Sequence, residues 1–260
     1  MVSGGKRMHC GCRRLVVISI RAQWLYLAVI LFGLGFGLWM LLEPAIWTNL
    51  PWSTLISGKK VVIDAGHGGS DPGAKSVTGI SEKEINLDVA LKLKKYLSRV
   101  GIYCVMTRES DQDFFNATIL AASKKQRDLI YRTRIANKSK AELFLSIHAN
   151  SFSQSIYHGA QTFFNPHNQQ SRRLAQAIQY HMIKDLGPNK RRPKPGDFRV
   201  LNDIKMPGVM IETGFLSNPE EATLLNDPRY RERIAAAIYH GVIAYLSNRV
   251  PDLEEDQVKP

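Results

Sequence analysis

Apolar and polar positions divide the chain into one long apolar block, followed by short apolar runs that alternate with helical stripes. From Trp24 to Leu42, 19 residues pass without a charge (WLYLAVILFGLGFGLWMLL). At about 1.5 Å per residue, a helix of that length spans roughly the 30 Å hydrocarbon core of a bilayer. A buried core helix is rarely apolar on every face at such length, so the block predicts a transmembrane helix. Trp24, Tyr26, Trp39, Trp47 and Trp52 lie near or within its two ends, as interfacial anchors do. A cleaved signal peptide is the competing reading. Its apolar region usually has about 7–15 residues and ends at small residues, whereas LLEPAIW follows here.

After a linker with two Pro at 43–58, the pattern changes. Val61–Ala65 is a compact apolar run closed by the turn cluster GHGGSDPG, which predicts a strand. Ser81 and Glu84 have capping-box spacing, and Ile85, Val89, Leu93, Tyr96, Leu97 and Val100 then make one helical stripe. Further strands are predicted at Ile102–Thr107, Leu143–Ile147, Gly159–Phe164 and Gly208–Ile211. Helices are predicted at Lys124–Lys138, Gln169–Leu186, Pro219–Leu225 and Arg229–Leu246. This alternation predicts an α/β fold: a single three-layer domain, its central, mostly parallel sheet flanked by helices and preceded by the transmembrane helix. The expected organisation is a basic N-terminus at 1–23, an anchor at 24–42, the linker at 43–58, a catalytic domain at 59–248 and a tail at 249–260.

Composition limits the class of protein. At 260 residues, with 44% hydrophobic and 22% charged residues, the chain is not disordered throughout, and its 12 Pro and 19 Gly follow no collagen-like period. The net charge of +12 is unevenly placed. Lys6, Arg7, Arg13, Arg14 and Arg21 precede the first acid, Glu43, leaving 30 basic against 23 acidic residues, or +7, for the remainder. Basic residues before the apolar block place the N-terminus in the cytoplasm and the rest on the extracytoplasmic face. If the block were cleaved as a signal, the rest would be secreted instead. Cys10 and Cys12 then lie where thiols stay reduced, and Cys104 alone offers no disulfide framework. The basic stretches at Lys124–Arg134 and Lys184–Arg199 read as solvated faces, or as attraction to wall polymers, anionic peptide stems or membrane lipids. An exported chain seldom meets nucleic acid, so no nucleic-acid partner is expected.

Three strand ends deliver residues suited to one chemistry. VVIDAG leads to His67, LFLSI to His148 and GVMI to Glu212, while Glu82 opens the helix after the Gly-rich turn. Carboxyl ends of strands in open α/β sheets line the ligand crevice. Two imidazoles and one carboxylate match the donor set of catalytic zinc sites, and a further carboxylate could act as base. Each residue taken alone also has a structural reading. His67 could steady its loop, His148 could be a hydrogen-bonded core histidine, and Glu82 could favour the positive end of the helix dipole. Glu212, after four apolar residues, would be costly to bury without a partner.

At these residues the sequence resembles the zinc-dependent N-acetylmuramoyl-L-alanine amidases of bacterial cell walls. VVIDAGHGGSDPGA is similar to the family's opening motif, GISEKEINL to its G-x-x-E-K-x-x-N-L segment, LSIHAN to S-x-H-x-N and MIETGFLSN to the closing E-x-G-F-L-S-N. The resemblance runs over about 59–248. It implies one zinc ion held by His67, Glu82 and His148, with Glu212 as catalytic base and Asn86 and Asn150 in support. Asp64 and Asp71 read as turn and supporting groups. The implied reaction is hydrolysis of the amide between N-acetylmuramic acid and L-Ala of peptidoglycan. A zinc peptidase cutting within the stem peptide and a non-catalytic wall-binding scaffold are the alternatives. Members of the family that carry an autoinhibitory helix insert it in the interval between His148 and Glu212, so the resemblance implies that the 63 residues here, already holding a strand, a helix and the basic loop, are too few for one. The chain therefore looks most like the short spore-cortex, germination-specific type that prepares muramic δ-lactam. Any activating protein partner is left unidentified by the motifs.

Overall fold

The computed structural model describes residues 24, 26, 27, 29–37, 56–76, 79–112, 123–187 and 189–253. Residues 24, 26, 27 and 29–37 are helical, with Trp24, Phe32 and Leu34 exposed, and they belong to a compact unit separate from the rest of the chain. Among the described residues, no helix is long and apolar enough to cross a membrane. The predicted anchor runs past them: 38–42 lie outside the described residues, as do the basic N-terminus at 1–23, most of the linker (43–55) and 254–260 of the tail.

The second unit follows the order β1 (Lys60–Ala65), α1 (Glu82–Arg99), β2 (Tyr103–Met106), α2 (Lys124–Ser139), β3 (Leu143–Asn150), β4 (Gln161–Phe164), α3 (Gln169–Leu186), β5 (Lys194–Pro195), α4 (Arg199–Asn202), β6 (Gly208–Phe215), α5 (Pro219–Asn226) and α6 (Pro228–Leu246). The strands form one sheet in the order β2-β1-β3-β6-β4-β5. β2, β1, β3 and β6 are parallel, while β4 pairs antiparallel with β6 and carries β5 alongside it. The central strands are buried on both faces, which is why VVI, LFL and GVMI read as near-continuous apolar runs.

Alternation along those strands sorts their side chains onto two faces. Val61, Ile63, Leu145, Ile147, Val209 and Ile211 face the larger core, built with Ile85 and Leu93 of α1, Leu174 and Ile178 of α3, and Ile234 and Ile238 of α6. Val62, Phe144 and Met210 face the other way, against Ala136 of α2 and Val200 and Leu201 at α4. Asp64, Ser146, His148 and Glu212 share the parity of this second, more thinly covered face, so the candidates His148 and Glu212 lie on the side with less helix above it.

Several boundaries differ from expectation. β3 continues to Asn150 and β6 to Phe215, so His148 and Glu212 are inside paired strands and directly opposite each other. Inter-strand pairing carries these strands on after their side chains turn polar. The Ser81 hydroxyl makes no cap bond, and its oxygen has no hydrogen-bond partner. The preceding loop supplies the helix start instead: Glu82 N–H donates to Ala74 O (2.8 Å) and Lys83 N–H to Pro72 O (3.2 Å), so a side-chain cap has little left to satisfy. The basic Lys184–Arg199 stretch is more than a solvated loop, because it contains β5 and leads into α4, elements too short to show a period.

Candidate active site

His67, Glu82 and His148 come together although 66 residues separate Glu82 from His148. His67 Nε2 lies 3.2 Å from Glu82 Oε1, and His148 Nδ1 lies 2.9 Å from the same oxygen. The two rings meet edge to face at 5.0 Å between centroids. Tetrahedral bonds of about 2.0–2.1 Å to zinc set ligand atoms about 3.3 Å apart, so these separations fit a single cation with a mixed nitrogen and oxygen donor set.

Each member is held by a different device. His67 takes up a left-handed backbone (φ 60°), uncommon for a residue with a side chain, and its Nδ1 lies 2.8 Å from Asp71 Oδ2. An N–H donated there fixes the tautomer that leaves Nε2 facing Glu82. Gly73 N–H donates to the other Asp71 oxygen (3.1 Å), so the turn residue expected to support the loop aims the imidazole. Glu82 Oε2 accepts from Ala74 N–H (3.0 Å), while Oε1 accepts from Ala149 N–H (3.2 Å) and Asn86 Nδ2 (3.3 Å). Gly66 has no room for a side chain: a Cβ there would lie 2.2 Å from His148 Cε1.

Electrostatics separates the two glutamates. Burial alone would raise the pKa of Glu82, but hydrogen bonds and charge from His148 and His67 outweigh it and hold the carboxylate well below its ordinary value. For His67, burial pulls the pKa down, yet Glu82 and Asp71 leave it raised. Glu212 is pushed up to about 7, chiefly by burial, with the charge of Glu82 adding to it and His148 and His67 opposing. Its Oε2 is buried without a hydrogen-bond partner. A carboxyl in that state, beside the cluster and titrating near neutrality, has the properties of a general base.

Beneath the cluster lies a charged scaffold that the sequence does not announce. Asp64 accepts from Thr107 Oγ1 (2.7 Å), Ser146 Oγ (2.7 Å) and Arg132 Nη1. Burial tends to raise its pKa, but Arg132, Ser146 and Thr107 bring it below the ordinary value. Arg132 also donates to Ala65 O and His67 O. Arg108, almost fully buried, donates to Ala65 O, Gly66 O and Lys83 O. Burial and the nearby Arg132 push its pKa down to about 10. Two guanidinium groups thus hold the backbone of the 65–67 turn. Arg132 belongs to a stretch expected to be a solvated face. Its only signal was position: 132 falls on the inner stripe of α2 with Ala136.

The cavity beside the cluster has a volume of about 260 Å³ and is walled by His67, His148 and Glu212 together with Lys125 and Asp128 of α2 and Phe198 and Arg199 at α4. None of those last four was singled out as a site residue from the sequence, although all lie within the two basic stretches Lys124–Arg134 and Lys184–Arg199. On the other side, Arg191 places its guanidinium 4.4 Å from the Phe215 ring, and Glu221 accepts from Phe215 N–H (2.7 Å) and Gly159 N–H (2.8 Å), fixing the end of β6. Asn150 accepts from Ser151 N–H through its own side chain and is not among the residues lining the cavity.

A mixed sheet that brings together two imidazoles, one carboxylate held below its ordinary pKa and a second, buried carboxyl raised above it has the groups of a hydrolytic enzyme of the α/β class with a metal-competent centre. The family model for N-acetylmuramoyl-L-alanine amidases matches residues 61–244. The chain belongs to that family and is an amidase of this kind. It is 37% identical over 225 residues to the germination-specific N-acetylmuramoyl-L-alanine amidase of Bacillus subtilis, covering 84% of this chain and 94% of the relative. Among solved structures it is similar to the CwlD amidase of Clostridioides difficile, determined in complex with the GerS lipoprotein (41% identity, TM-score 0.70, 74% of this chain and 100% of that one). It is also similar to the catalytic domain of the CwlV amidase from Bacillus (Paenibacillus) polymyxa (33% identity, TM-score 0.63, 72% and 98%).

Proposed function

We propose that this amidase is a zinc enzyme of the spore cortex, anchored outside the cytoplasmic membrane, in which His67, Glu82 and His148 hold the ion and Glu212 is the catalytic base. The observation that carries the reading is the buried, unpartnered Glu212 carboxyl facing the His67–Glu82–His148 cluster across the β3–β6 register. Zinc, when bound, supplies a Lewis acid beside the scissile carbonyl and activates water at neutral pH.

The chain's own groups account for the proton. Glu212 takes a proton from the attacking water as the oxygen adds to the lactyl carbonyl carbon. It returns that proton to the amide nitrogen as the C–N bond breaks. The products are the muramic carboxylic acid and a stem peptide with a free L-Ala amine. Asp71 keeps His67 in one tautomer, and Asn86, donating to Glu82 and Gly66 O, holds the ligand carboxylate against the turn. Nearby Lys125 and Arg199 give the cavity wall a positive side suited to the carboxylates of stem peptides.

The subtype rests on likeness in length and sequence to the germination-specific relative. Removal of stem peptides ahead of muramic δ-lactam formation is its proposed role. In the 148–212 interval the described helices are α3 and α4 alone, which supports the reading without an autoinhibitory insert. A lipoprotein partner is proposed from the assembly of the CwlD relative. Anchoring is supported by the charge-free block at 24–42 and by the exposed apolar helical residues within it. Glu212→Gln tests the assignment: zinc content should stay at the wild-type level, while release of free L-Ala amines from peptidoglycan falls by about 10²–10⁴-fold. Wild-type activity in that variant, or stems shortened within the peptide in the wild type, would overturn it.

A further inference from the structure

We propose that His181, Asp185 and His240 form a second divalent-metal site, a clamp between α3 and α6 that shares no residue with the catalytic cluster. His181 and Asp185 are one turn apart on α3 and therefore project from one face. His240 arrives from α6. The two helices touch at Gly241, where a Cβ would lie 2.5 Å from Ile178 Cα. That close approach brings the His181 and His240 rings to 5.5 Å between centroids.

Asp185 Oδ2 lies 2.9 Å from His240 Nδ1 and 3.7 Å from His181 Nδ1, and one ligand atom from each residue falls within 4.8 Å of the others. These values bracket the spacing of about 3.3 Å that tetrahedral zinc bonds impose. His181 Nδ1 is closed off from water and has no hydrogen-bond partner, so the carboxylate alone does not satisfy the pocket. The neighbouring ammonium of Lys184 turns aside, over the Tyr180 ring at 5.8 Å. Two imidazole nitrogens and one carboxylate oxygen select zinc-class cations over calcium or magnesium, which prefer all-oxygen shells. His240 is 48% exposed, so the site is open on its outer side for water to complete the coordination.

The clamp grips the last turn of α3, and the next segment carries Arg191 onto Phe215 at the end of the strand that bears Glu212. A cation here would steady the end of α3 and the segment that follows it, outside the residues lining the cleft.

The test uses the full-length chain in detergent, equilibrated with Zn2+ at micromolar free concentration, with bound metal measured by mass spectrometry. His240→Gln and Asp185→Asn should each bind one zinc fewer than the wild type. Glu82→Ala should lose a different one, and the Glu82→Ala/His240→Gln double variant should lose both. Zinc should also raise the melting temperature of Glu82→Ala and leave the double variant unmoved. Wild-type zinc content in both His240→Gln and Asp185→Asn would overturn the proposal. Unchanged zinc content in Glu82→Ala alone would count against the catalytic cluster while leaving the clamp standing. Melting of the metal-free variants alongside the metal-free wild type separates lost binding from misfolding.

Discussion

Gly66→Ala is the substitution whose outcome the geometry determines most tightly. Gly66 has no left-handed φ, so alanine suits its backbone and any effect must come from the added methyl group. That group would sit 2.2 Å from Cε1, 2.4 Å from Nε2 and 2.6 Å from Nδ1 of His148, where ordinary contacts begin near 3.4 Å. The backbone cannot retreat, because Gly66 N–H donates to Ile147 O (3.0 Å) and Gly66 O accepts from Arg108 (2.9 Å) and Asn86 (3.2 Å). The imidazole must therefore move by about 1 Å, which breaks its 2.9 Å contact with Glu82. Metal sites tolerate errors of about 0.2 Å, and a misplacement of about 1 Å costs on the order of 10²-fold in rate. Overpacking adds a stability loss of about 1–3 kcal/mol. Turnover is read as new L-Ala amines released from purified peptidoglycan, alongside zinc content and melting temperature. The expected result is a loss of at least about 10²-fold in kcat/KM with weakened zinc binding in a folded protein. Full activity and full zinc content in Gly66→Ala would refute the placement of His148.

Other expectations follow from the same geometry. Asp71→Asn removes the anionic acceptor of His67 Nδ1 and should weaken zinc affinity by about 10–100-fold, measured by competition with a chelator; unchanged affinity would mean that the contact orients nothing. Arg132→Met leaves the buried Asp64 charge without its counter-ion and should cost about 3–5 kcal/mol in denaturant unfolding, partly recovered in Asp64→Asn/Arg132→Met, since the Arg132 bonds to Ala65 O and His67 O stay lost. If the double variant is no more stable than the single one, the pair is not the source of the loss. The depressed pKa of Asp64 sets a direction with pH: its stabilisation is complete above the ordinary carboxylate value of 3.8 and is lost as pH falls from there through the lower folded value. In Asp64→Asn/Arg132→Met, the acid limb of the stability curve should flatten. An identical limb would assign acid unfolding to other groups.

His67, His148 and Glu212 were legible in sequence because each follows a run of apolar strand positions, and a polar residue there has few places to go but a strand end. Legibility stopped where identity is a poor guide to environment. Arg108 and Arg132 look like surface charge in a basic chain, yet both are buried against carbonyls of the turn after β1. Their roles depend on loops closing over them, which no local period records. The Ser81–Glu84 spacing promised a capping box, but Ala74 and Pro72 carbonyls reached the helix start first. β5 has two residues and α4 has four, below the length at which either periodicity can be seen. Strand ends were read short for a related reason: pairing with β6 continues β3 through His148 to Asn150 whatever the polarity of its side chains.

The position of β6 also sets an order in time. Among the described residues it is the last strand, yet it lies fourth in the sheet, between β3 and β4, and β4 and β5 reach the rest of the described sheet through it. During synthesis from the N-terminus, His67, Glu82 and His148 all emerge before Glu212, so the three proposed ligands are made while the proposed base is still absent. A chain interrupted before Gly208 carries the ligand residues without Glu212 and without the strand that seats β4 and β5. On the roles proposed for these residues, a product truncated there would lack the base and could not cut the wall.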